Sequence, residues 1–154
     1  MKFVTKLLHV KYTLEIELEL SRERVGQLFG NVANLKKWQP DLVNFQHISG
    51  EPGQVGAKSK MIYKMGKREI EMIETITESN LPKAVNGTYE AKGVMNWVNN
   101  TFVEVATNKT KWITENEFQF SGFMKLIGFF MKNSFPKQSY KYMEQFKAFA
   151  ENEA

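Results

Sequence analysis

Two histidines, His9 and His47, one aspartate, Asp41, and no cysteine are a thin stock for catalysis or metal binding. Without a thiol, the chain offers no cysteine nucleophile, no thiolate metal site and no disulfide framework. The histidines lie far apart in sequence, so neither a metal-ligand spacing nor a Ser-His-Asp arrangement is visible. His47 follows Phe45 by two in an extended stretch, which would give both the same inward face. A lone strand histidine is more often structural, although its near-neutral pKa leaves proton transfer open. The pairs Glu15/Glu17 and Glu115/Glu117 fall on the polar phase of their strands and read as solvated surface. "EPGQVG" (51–56) has neither Rossmann glycine spacing nor a following Lys-Ser/Thr, so it is a turn and not a phosphate loop.

Residues suited to holding a molecule are more plentiful than residues suited to transforming one. With Tyr12 and Leu14 marking the inner phase of the first strand, matching phases point Met61, Tyr63, Met72, Glu74 and Tyr89 inward. Trp97, Asn99 and Val103 follow on the sixth strand, and Trp112, Asn116 and Phe118 on the seventh. Methionine conforms to varied apolar shapes, while Trp and Tyr add one polar tip to a large apolar body. Glu74, Asn99 and Asn116 would be the few polar groups that orient a ligand, since burying them unpaired costs energy. An interior Glu74 either anchors a polar ligand atom or has its pKa raised by desolvation. A packed core is the plain alternative at each single position.

These side chains need a sheet to carry them. In "HVKYTLEIELEL" (9–20) apolar and polar residues alternate, the mark of a strand with one buried face. Ser21 caps a short amphipathic helix over "RERVGQLFGNV", and a second short helix spans 34–38, stopping before Pro40. Six further strands are expected at 41–50, 57–65, 68–78, 84–93, 96–105 and 110–120, consecutive and antiparallel. Gly66-Lys67 marks a hairpin between two of them. Helical periodicity then covers 123–133, after which Pro136 either breaks the helix or opens a final segment with Ser134 as N-cap. Ser139, Tyr142, Met143, Phe146, Phe149 and Ala150 share one face of that last helix.

"FMKLIGFFM" (123–131) holds seven apolar residues in nine, too short a run for the roughly 20 residues that cross a bilayer. Phe123, Ile127, Phe130 and Met131 are expected to be buried as cavity wall, with Leu126 and Phe129 nearer the surface. Such a patch leaves peripheral membrane contact or a protein partner open. With 154 residues, 42% hydrophobic and 25% charged, the chain is expected to be one globular domain spanning 1–154. The first fifteen residues lack a signal-peptide pattern, and a cytoplasmic location is expected. Eighteen lysines against three arginines, scattered along the chain, read as a solvated surface and not a nucleic-acid site.

The order of strand, two short helices, six strands and a long C-terminal helix resembles the START-like superfamily, also called SRPBCC or helix-grip. "VGQLFGNVANLKKWQPDL" (25–42) looks like that family's first helix pair, and "EPGQVGAKSKM" like its Gly-rich turn. "KTKWITENEFQF" resembles its last strand, and "YKYMEQFKAFAEN" the end of its grip helix. The resemblance implies an α+β fold in which a seven-stranded curved antiparallel sheet wraps a long helix around a cavity. It further implies binding of a lipid, sterol-like or aromatic small molecule, with no cofactor. A polyketide cyclase or aromatase using Glu74, Tyr63, Tyr89 or His47, and a partner of chaperone ATPases, are the other activities it suggests. The expected ligand-binding set is Met61, Tyr63, Met72, Glu74, Tyr89, Trp97, Asn99, Trp112, Asn116 and Phe118 from the strands, with Phe130, Met131, Tyr142, Met143 and Phe146 from the helices. Fold alone does not choose among these activities.

Overall fold

A computed structural model describes residues 7–153. Strand β1 (Leu8–Leu18) is followed by α1 (Arg22–Gly30), a single 3-10 turn (Val32–Asn34) and α2 (Leu35–Trp38). Six strands come next: β2 (Leu42–Ser49), β3 (Lys58–Met65), β4 (Arg68–Asn80), β5 (Ala84–Ala91), β6 (Val94–Ala106) and β7 (Lys109–Phe120). Helices α3 (Met124–Met131) and α4 (Ser134–Asn152) end the chain. The second short helix thus starts one residue later than its sequence suggests, with Asn34 closing the 3-10 turn.

The strands form one antiparallel sheet in the order β1-β7-β6-β5-β4-β3-β2, so every connection but the one from β1 is a hairpin neighbour. Alternating burial along β1 shows why the period of two forms this strand: one phase faces the interior and the glutamate phase faces water. Register shifts at β2, at β4 between Ile76 and Glu78, and at β6 between Glu104 and Ala106 bend the sheet. A bulge inserts one residue on one strand only, increasing local twist and curvature.

Ser21 caps α1 as expected, its hydroxyl accepting from the Arg24 amide at 3.2 Å. Ser134 does not cap α4. It is the first helical residue, Asn133 precedes it, and no side chain caps that end. The core gathers at one end, where Leu18, Val25, Trp38, Phe102, Trp112 and Phe146 are almost wholly buried. Phe29, Trp38, Phe102, Trp112 and Phe146 meet edge to face or tilted at 5.1–6.3 Å between centroids, spacings aromatic pairs favour. Polar bonds fasten α4 there: Lys147 Nζ donates to the Glu17 carbonyl at 2.7 Å and the Glu19 amide to Glu151 Oε1 at 2.8 Å. Arg24 Nη2 donates to the Glu153 carbonyl at 3.0 Å. No helix of the described residues is long and apolar enough to cross a membrane.

Candidate functional site

Beyond that core, the concave sheet face and the first half of α4 border a half-open cavity of about 800 Å³ with mainly apolar walls. Strands β3 and β4 contribute Met61, Tyr63, Met72 and Glu74, and β5 contributes Tyr89. Trp112, Asn116 and Phe118 project from β7, facing Tyr142 and Met143 of α4. Register explains the convergence: Met61 is opposite Met72, Glu74 opposite Tyr89, and Tyr12 opposite Asn116. At the end away from the core, Phe135 stacks on Phe118 at 4.8 Å and on Phe120 at 5.5 Å.

All three positions expected to face inward on β6 lie elsewhere. Trp97 and Asn99 sit on the outer face, opposite Glu117 and Glu115, and Val103 is exposed on the same face. The cause is the bulge at Val105. A regular hairpin closed by Thr107-Asn108 would set Val103 opposite Trp112. The extra residue sets Phe102 there instead, and a one-residue slip exchanges the two faces of a strand. Asn96, Val98 and Asn100 therefore line the cavity.

The helices bring two further corrections. Phe130 and Met131 are 80% and 42% exposed, and Phe123 is exposed as well, so they form no cavity wall. Gly128 is the buried residue of α3; a Cβ there would meet the Phe120 ring at 2.6–2.9 Å. The helix therefore turns Gly128 inward and its bulky residues out. Leu126 and Phe129 are exposed as expected. Phe146 is fully buried, but one turn beyond Met143 it belongs to the aromatic core and not to the cavity.

The cavity also has walls that periodicity did not supply, among them Phe29 and Trp38 from α1 and α2, Gln39, Asn86, Asn100 and Phe135. A Trp two residues before Pro40 was the available signal for Trp38. His47 stands at the lip, lining the cavity yet exposed, with Nε2 2.8 Å from the Gly50 carbonyl. That bond ties it to the following turn.

The interior polar groups are mostly satisfied. Trp112 Nε1 donates to Asn100 Oδ1 at 2.9 Å, and Asn116 Nδ2 donates to Thr114 Oγ1 at 3.1 Å. Tyr63 donates to Gln39 Oε1, and the Tyr12 hydroxyl lies 2.6 Å from Ser139 Oγ. Tyr89 donates to Glu74 Oε2 at 2.8 Å; among the described residues, nothing bonds Glu74 Oε1. Burial pushes the Glu74 pKa up, and the Tyr89 bond offsets part of the rise. Burial also raises Tyr63, helped by Tyr142 and Glu74, and raises Tyr89, helped by Glu74. Both phenols stay protonated and serve as donors.

No family model matches the sequence, and no curated protein matches it. Solved structures do match. A START superfamily protein from Mycobacterium smegmatis superposes with a TM-score of 0.78 at 9% identity, covering 94% of this chain and 99% of that one. The chain has the START-like, helix-grip fold. An aromatase/cyclase from Streptomyces sp. R1128 matches with a TM-score of 0.74 at 9% identity, over 95% of this chain and 94% of that one. Norcoclaurine synthase from Thalictrum flavum, solved with dopamine and hydroxybenzaldehyde, gives 0.70 at 14% identity, over 93% and 87%. At such identities the START-like neighbours share the fold, while the chemistry rests on this chain's own residues.

Proposed function

We propose that this START-like chain binds a hydrophobic or amphipathic small molecule, lipid, sterol-like or aromatic, in the cavity between sheet and α4, as a cytoplasmic protein. The observation that carries the reading is the cavity of about 800 Å³ with apolar walls and a single half-satisfied carboxyl inside. Small-molecule sites commonly measure about 300–1,000 Å³ and combine apolar walls with a few polar groups. Met61, Met72 and Phe118 suit the apolar body, and Glu74 Oε1 suits a hydroxyl or amine on it. Trp38 and Trp112 line the cavity and report its occupancy. Native purification followed by solvent extraction and mass spectrometry is expected to yield a bound molecule, and a lipid and aromatic panel to shift tryptophan emission. An empty extract together with unmoved emission across the panel overturns the reading.

The Glu74–Tyr89 pair favours a second reading, an aromatase/cyclase-type enzyme in which cavity shape folds the substrate. Burial raises the Glu74 pKa, which moves it toward the range of a general acid. Turnover of a poly-β-keto probe that survives Glu74→Gln, Tyr63→Phe, Tyr89→Phe and His47→Ala together would remove it.

A further inference from the structure

Among the described residues, nothing covers the outer face of α3. Phe123 is 75% exposed, and Leu126, Phe129 and Phe130 continue the patch along the helix. Its orientation is fixed, because Gly128 seats directly on Phe120 and Met124 lies against Gly93. The charge of the sequence around α3 is one-sided. From Phe118 to Met143 the chain carries Lys125, Lys132, Lys137 and Lys141 and no carboxylate, while the remainder holds equal numbers of basic and acidic residues. Among the described residues, none of these four lysines is ion-paired, whereas Lys60, Lys109, Lys111 and Lys147 are.

We infer that α3 is a docking surface for an anionic lipid bilayer, its phenylalanines entering the interface while the four lysines meet acidic headgroups. Apolar residues flanked by lysines bind such interfaces through the two attractions together. At eight residues, α3 lies on a bilayer and cannot cross it. A second copy of the chain fits less well, because a two-fold pairing of α3 would bring Lys125 and Lys132 of both copies together.

Co-sedimentation with vesicles tests the inference. Vesicles of about 70:30 phosphatidylcholine and phosphatidylserine should bind the chain roughly tenfold or more tighter than phosphatidylcholine alone, with the difference shrinking as salt rises. Phe123→Glu with Phe130→Glu should abolish binding without changing the thermal midpoint, since both side chains are exposed. Lys132→Glu with Lys137→Glu should erase the preference for anionic vesicles and leave the apolar face intact. Equal binding to both vesicle types, binding to neither, or undiminished binding by the Phe variant overturns the inference. So does a dimer in light scattering that the Phe variant dissociates. Tryptophan emission with the small-molecule panel, measured without vesicles, reads the cavity separately, so failure of one proposal is distinguishable from failure of the other.

Discussion

Glu74 lies between Met72 and Ile76 on the inward face of β4, where a carboxylate would lose much of its hydration. Its native pKa is raised by that burial, and Tyr89 only partly offsets the rise. Between the ordinary carboxyl range and the raised value, the folded chain holds a proton that the unfolded chain has released. Stability contributed by this group is therefore complete below the ordinary range and lost as pH rises through the native value. Glu74→Gln removes the titration while keeping an acceptor for Tyr89. The wild-type thermal midpoint is expected to fall across that window relative to the variant, whose curve stays flatter; parallel curves would contradict this. Strand alternation alone made the Glu74 and Tyr89 positions legible, because their two strands read as unbroken runs. Neither their pairing nor the free oxygen was, since register follows from turns and bulges.

The strands and helices themselves were largely legible, and the misreadings have local causes. β6 carries asparagines on both phases, at Asn96 and Asn100 inward and Asn99 outward, so composition could not reveal which phase the bulge had selected. In α3 nearly every residue is apolar and gives no contrast between faces. The decisive residue is the smallest, Gly128, because only a missing side chain lets the helix approach the Phe120 ring. Gly128→Ala forces a Cβ into that ring. Overpacking of this kind costs about 1–3 kcal/mol, read as a drop of several degrees in thermal midpoint by circular dichroism. An unchanged midpoint would mean that α3 lifts away without resistance.

Across the whole molecule, one helix serves two regions. The far half of α4 is packed into the aromatic core through Phe146 and Ala150 and is tied by Lys147 and Glu151 to β1 and by its end to Arg24. Its near half borders the cavity and is held by the Tyr12–Ser139 contact and the Phe135 stack. That division was not visible in the even amphipathic stripe of the sequence, because the stripe records burial and not what lies opposite it. Amides of the last turns are expected to exchange about tenfold or more slowly than those around Gln138–Tyr142 in hydrogen-exchange mass spectrometry. Equal protection along α4 would count against the division. With the core-packed end the more firmly anchored, a guest wedged under the helix would strain the Tyr12–Ser139 contact and the Phe135 stack before it reached the aromatic core. Under the proposed binding, occupants of different size would then be taken up at the expense of those two contacts and not of the layer that keeps the chain folded.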